Sequence, residues 1–141
     1  MKRDRDFQTA IDSLARKYQY VLVDRVTEID HEKRMVKAIK CASNTEPYYV
    51  GHFPDNPTMP GVLLLMAFSQ VGSMLYDEDE KVVMTRFEKV RFISPVQPGE
   101  KLKITVQEIE RTEEQSVLEC TGEIEDKVCV KGRLCLSHKP I

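Results

Sequence analysis

The sequence carries no excess of charge of either sign. Across 141 residues, 21 Lys and Arg stand against 23 Asp and Glu, a formal net charge of −2, and there is no basic tail. Binding to DNA or RNA needs clustered positive charge to neutralise phosphates, so nucleic acid drops out as a partner. Paired cysteines are lacking too: Cys41, Cys120, Cys129 and Cys135 form no CxxC, and the shortest spacing is the six residues from Cys129 to Cys135. Metal sites want closer, paired ligands, and a chain rich in Leu, Val and Ile does not need disulfide staples. We expect buried or half-buried thiols in a reducing cytoplasm, and no metal. Nor is there an apolar run of membrane length, since Val62 to Phe68 falls far short of the ~20 residues that span a bilayer. The stretch MKRDRDFQTAIDSLARKY mixes both signs and has no apolar centre, which argues against a secretory signal. Linkers, low-complexity segments and fixed-period repeats are missing as well, so residues 1–141 read as a single domain with one core.

What is present is organised around Val50 to Tyr76. A histidine, His52, opens the proline-studded loop HFPDNPTMPG, and about four turns of mostly apolar residues follow without a break. Pro54, Pro57 and Pro60 each fix their own φ and push the preceding residue towards extended geometry, so the loop is rigid without being helical. Pro60 suits the first helical position, where a missing N–H costs nothing. From Gly61 on, VLLLMAFSQVGSML is apolar all round the helical wheel, interrupted by Ser69, Gln70 and Ser73. Such a helix is expected to be buried on every side. Its free N–H groups and positive dipole end, beside His52, would polarise a carbonyl or hold an anion.

The flanking segments supply the cover. Arg5 to Lys17 places Phe7, Ala10, Ile11, Leu14 and Ala15 at helical spacing, a short amphipathic helix. Tyr20 to Ile29 and Lys33 to Ala42 are β-branched-rich runs separated by AspHisGlu, a hairpin whose turn leaves His31 in solvent. Asp77 to Glu80 form an acidic connection. Val82 to Ile93 alternates with one break near Glu88 and ends at the turn ProValGlnProGly, residues 95 to 99. Lys101 to Arg111, Ser116 to Ile124 and Lys127 to Leu136 repeat the alternation, the last two joined tightly through Glu125 and Asp126. The predicted architecture is α+β: a strongly curved antiparallel sheet wrapped around one long central helix, with a second copy covering whatever stays exposed in a symmetric dimer.

The segment GHFPDNPTMPGVLLLMAFSQ resembles the signature of FabZ-type β-hydroxyacyl-[acyl carrier protein] dehydratases, which have the hotdog fold. VLVDRV at 21 to 26, EPYYVGHFP, and RFEKVRFISPVQPGEKL at 86 to 102 join it, so the resemblance covers nearly all the chain from Leu14 onward. It implies that His52 acts with a central-helix glutamate given across the dimer, removing water from a 3-hydroxyacyl thioester held on phosphopantetheine. The arm would belong to acyl carrier protein or CoA, with no further cofactor. The types of residue suit the chemistry: an α-proton must leave, and an imidazole titrating near neutrality can take it. The resemblance places the thioester carbonyl against backbone N–H near Gly61, the acyl chain along the helix, and Phe53, Pro60, Val62 and Gln70 around the substrate.

One position departs from the family. The glutamate belongs at 66, and this chain has Met66, which can neither donate a proton nor hold water by a charged bond. Losing a positioned general acid costs about 10²- to 10⁴-fold in rate, or about 3–5 kcal/mol of barrier. Gln70, one turn on, would orient a water without supplying a proton; Asp55 and Glu46 flank the loop as other carboxylates. Three functions follow from the resemblance: a dehydratase of altered or weakened chemistry, a non-catalytic subunit completing a heteromer with an active dehydratase, and an acyl thioesterase.

Overall fold

A computed structural model describes residues 2–18, 20–42, 59–77 and 79–138, with side chains described from Phe7 onward apart from Lys17. Its elements are α1 (Lys2–Lys17), β1 (Arg25–Asp30), β2 (Met35–Cys41), α2 (Gly61–Ser73), β3 (Val83–Phe92), β4 (Lys101–Arg111), β5 (Gln115–Ile124) and β6 (Lys127–Ser137). The strands form one six-stranded sheet in the order β1-β2-β4-β5-β6-β3, every neighbouring pair antiparallel. The sheet wraps α2, which packs on β2, β4 and β6, while α1 lies on β1. This is the α+β hotdog architecture.

Alternation explains the core. Leu102, Ile104 and Val106 of β4 are wholly buried, as are Leu118 of β5 and Leu134 of β6, and Phe68 of α2 drives into them. Fully burying one such side chain is worth roughly 1.5–3 kcal/mol. Helix and sheet approach closely at Gly72, where a Cβ would lie 2.8 Å from Leu118 Cδ1. Glu125 and Asp126 make the β5–β6 hairpin with φ of 50° and 65°, the two left-handed residues that a two-residue turn of type I′ demands.

Several boundaries differ from the sequence expectation, each for a physical reason. The first strand starts at Arg25, not Tyr20, because the Gln70 amide takes over the backbone there: Leu22 N–H donates to Gln70 Oε1 (2.7 Å), and Gln70 Nε2 donates to the Tyr20 carbonyl (2.8 Å). Pro60 is the cap and not the first helical residue. Its ψ of 139° is extended, while its carbonyl accepts from Leu63 N–H (3.0 Å), the first bond of the helix. The α-helix stops at Ser73, and the last turn to Tyr76 tightens into i→i−3 bonds such as Tyr76 N–H to Ser73 carbonyl (3.2 Å). α1 begins at Lys2, ahead of Arg5. β3 carries two irregularities, the expected one after Glu88 and another between Met84 and Arg86. Cys41 is exposed, unlike the three buried cysteines, since the alternation along β2 turns its side chain outward next to the buried Lys40.

The largest correction concerns α2. Leu64, Ala67, Phe68, Gln70 and Val71 are buried as expected, but Val62 is 65% and Met66 40% exposed. A sheet from one chain covers one side of the helix and leaves the other open.

Candidate functional site

The site grows from the first turn of α2. Met59 N–H donates to the Val96 carbonyl (2.8 Å), tying the end of the proline loop to the segment after β3. Pro60 then turns the chain into the helix, and Gly61 begins it. Gly61 makes room for an aromatic ring: a Cβ there would sit 2.8 Å from Cζ of Phe92, whose ring lies against the helix start and would have to shift. Met59, Gly61, Leu64, Phe92, Ile93, Ser94 and Pro95 line a cleft of about 460 Å³ with mainly apolar walls. Among the described residues no side chain caps α2 and no acid stands in its first turn. The positive end of the helix dipole thus opens beside an apolar cleft with no compensating acid among the described residues, a setting in which backbone N–H groups act strongly on a carbonyl oxygen.

The expected site residues fall into three groups. His52 and Phe53 lie outside the described residues, as do Glu46 and Asp55. Pro60, Gly61, Val62 and Met66 come together along the start of α2, with Val62 and Met66 one turn apart on the face that the sheet leaves open. Gln70 is placed apart from them: it is wholly buried, and both ends of its amide hold the backbone of Tyr20 and Leu22. Its burial, with one N–H and one lone pair given to the backbone, sets Gln70 away from the open helix face and the cleft, unlike the substrate contact expected of it. Phe92 was not foreseen as a site residue. Its signal was its place in VRFISPV, next to the turn that brings β3 to the helix start.

A second polar cluster, also unforeseen, closes the far end of α2. The Tyr76 hydroxyl donates to Glu108 Oε2 at 2.6 Å, and the Arg34 guanidinium pairs with the same oxygen at 3.4 Å while lying 5.1 Å from the Tyr76 ring centre. Burial, and then the bond to Glu108, push the Tyr76 phenol up to about 12. Burial draws the Glu108 carboxyl upward, but the bonds from Tyr76 and Arg34 outweigh it and hold it below the usual range. Ser116 Oγ and His138 Nε2 are 2.7 Å apart behind them, with Ser116 wholly buried and so closed to any substrate.

Among the described residues no cluster of His, Cys, Asp and Glu would hold a metal ion. No described helix is long and apolar enough to cross a membrane.

Comparison with known proteins follows the same lines. Residues 14–133 match the model of the FabA-like domain. The 3-hydroxyacyl-[acyl-carrier-protein] dehydratase FabZ of Caldicellulosiruptor saccharolyticus is 35% identical over 139 residues, covering 95% of this chain and 99% of the relative. That of Magnetococcus marinus is 39% identical over 114 residues, 76% of this chain and 74% of the relative. Among solved structures, the dehydratase heterocomplex ApeI:P from Xenorhabdus doucetiae superposes with a TM-score of 0.69 at 19% identity, covering 84% of this chain and 98% of that one. Thioesterase superfamily member 2 from Mus musculus reaches 0.72 at 13% identity over 94% and 97% of the two chains. At those identities the structural likeness speaks for the fold.

Proposed function

This chain belongs to the FabA-like domain family, and from that membership we propose that it is a 3-hydroxyacyl-[acyl carrier protein] dehydratase-like protein, working on acyl thioesters in fatty acid or related acyl-chain biosynthesis. The observation that carries the proposal is the 35% identity to a FabZ dehydratase along nearly the full length of both chains. The open helix start beside an apolar cleft supports it, since a thioester needs a polarised carbonyl and a dry place for its chain.

In this reading the thioester carbonyl faces the N–H groups at Gly61. His52 takes the α-proton as the Cα=Cβ bond forms, and the β-hydroxyl leaves as water once protonated. Phe53, Pro60 and Val62 frame the substrate, and the phosphopantetheine of acyl carrier protein or CoA holds it; no other cofactor enters. The protein works in the cytoplasm as a homodimer or a higher homo-oligomer, whose second copy covers the Val62 and Met66 face.

Met66 stands at the place of the family's acid, so the isolated protein runs slowly. One observation favours a second reading, a non-catalytic subunit of a heteromeric dehydratase. Met66 is 40% exposed on the open helix face, where a partner with its own glutamate would complete the site. The test presents a panel of 3-hydroxyacyl carrier-protein thioesters to the wild type, His52→Ala and Met66→Glu, alone and with an active FabZ-type dehydratase. Dehydration that His52→Ala abolishes supports the enzyme, and dehydration indifferent to it sinks that reading. Failure to bind or alter the active dehydratase removes the second.

A further inference from the structure

Ala42 and Met59, the residues that flank the stretch 43–58 with its His52, are both tied to one turn. Gly99 N–H donates to the Ala42 carbonyl (2.9 Å), Ala42 N–H donates to the Glu100 carbonyl (2.9 Å), and Met59 N–H donates to the Val96 carbonyl (2.8 Å). All three bonds join main chain to main chain. Met59 stands two residues before Gly61, so the same turn also fixes the helix start. Ser94 and Pro95, just before the turn, line the apolar cleft.

The turn is built to be stiff. Val96 is wholly buried and anchors it. Glu100 N–H donates to the Gln97 carbonyl (3.1 Å), and Gln97 N–H donates back to Glu100 Oε1 (2.7 Å), closing four residues twice. With Pro98 second and Gly99 third at a φ of 89°, this is the pattern of a type II turn, which demands a left-handed third residue. A Cβ on Gly99 would meet nothing within 4 Å, so backbone conformation asks for glycine here and space does not. Asp24 braces the departing strand from its other side. Its Oδ2 accepts from Cys41 N–H (2.7 Å) and lies 3.7 Å from Nζ of the buried Lys40, while its own N–H donates to the Ile39 carbonyl (2.9 Å).

Chain connection explains less than this. The link from β3 at the sheet edge to β4 beside β2 must cross the end of the sheet. A segment that only crossed would have no need to bond the chain on both sides of the histidine stretch and ahead of the helix.

We propose that the turn Gln97 to Glu100 positions His52 against the helix start, with Gly99 as the positioning residue on which this depends. The turn sets where the histidine stretch departs, where it returns and where the Gly61 N–H stands, as one unit. The proposal rests on the reading of His52 as the base of a thioester dehydration. A misplacement of about 1 Å between reacting groups costs on the order of 10²-fold in rate.

The test compares the wild type with Gly99→Ala, Gly99→Val and Gly99→Asn, since asparagine tolerates left-handed geometry. The chain has three histidines, so NMR of the full-length protein can follow each imidazole separately. His31 in the β1–β2 turn and His138 after β6 serve as internal references. Turnover of a 3-hydroxyacyl carrier-protein thioester is measured in parallel, with circular dichroism to verify folding. We expect Gly99→Ala and Gly99→Val to move the His52 ring resonances and spare the other two. In an active protein, kcat should fall about tenfold or more with KM little changed. Gly99→Asn should stay close to the wild type in both respects. Unmoved His52 resonances in Gly99→Ala overturn the proposal, as does an unchanged kcat in an active protein. So does movement of all three histidines together or loss of the fold in Gly99→Ala, either of which makes the glycine a general structural requirement. An asparagine variant as impaired as the alanine one overturns it too; a Gly99→Val that fails to fold leaves the decision to that pair. A wild type without turnover counts against the enzymatic reading alone, and the His52 resonances then decide the positioning.

Discussion

The hydroxyl of Tyr76, just past the end of the central helix, donates to the carboxylate of Glu108 on β4 at 2.6 Å, and Arg34 reaches the same oxygen from the β1–β2 turn. Three segments distant in sequence are thus held at one point. Tyr76→Phe should lower stability by about 1.5–3 kcal/mol, the usual worth of a hydrogen bond to a charged group. Urea unfolding at neutral pH measures it. Because Glu108 titrates below its unfolded value, its contribution is present above the ordinary carboxylate range and is lost as pH falls through it. The penalty of Tyr76→Phe should shrink in acid, and a penalty constant from neutral pH into acid would refute the coupling.

At the alkaline end the sign reverses. The Tyr76 phenol is raised to about 12 in the folded protein, against roughly 10 when unfolded. Its share of the stability is complete below the unfolded value and disappears as pH climbs towards the folded one. The wild type should therefore lose stability above about pH 10 more steeply than Tyr76→Phe, which a pH series of thermal melts would reveal.

Gln70→Ala should leave the buried Leu22 N–H without the oxygen it donates to, at about 1–3 kcal/mol. Hydrogen exchange at the Leu22 amide should quicken, and the melting temperature should fall. If Gln70 touched substrate instead, the loss would appear in KM with stability intact.

Gly61→Ala should crowd Phe92, since the new Cβ would fall 2.8 Å from its Cζ. The ring is half exposed and can swing away, so we expect a stability loss of at most about 1–3 kcal/mol, alongside a larger effect on thioester binding at the helix start. Phe92→Ala in the same chain should recover most of the stability, and a double-mutant cycle without coupling would show that the two residues do not meet in solution.

Met66→Glu should supply a proton donor on the open face of the central helix. If His52 already acts as base, dehydration should rise about 10²- to 10⁴-fold, the typical range for a positioned general acid. A coupled assay on a 3-hydroxyacyl thioester decides it, and an unchanged rate would place the missing acid elsewhere.

Much of the fold was legible from periodicity. The strict alternation of Leu102, Ile104 and Val106 marks β4 from Lys101 to Arg111, and the Glu125-Asp126 hairpin was readable from the strands on either side. What misled was local: Tyr20 to Asp24 look like strand in composition, but a single amide 48 residues beyond Leu22 takes the Leu22 N–H and the Tyr20 carbonyl. The proline loop marked the helix start and its Gly61, while Phe92 and the cluster around Tyr76 could not be found from spacing, because they depend on strands meeting across the sheet.

On its own, the sequence determined the order of the elements and the apolar central helix with its glycine start, since these follow from residue type and short-range pattern. Only the tertiary structure decided that Gln70 serves the backbone, that Phe92 frames Gly61, and that Val62 and Met66 face outward. Burial, hydrogen-bond partners and close approach belong to pairs of residues far apart along the chain, and no local pattern encodes which distant surface a side chain will meet.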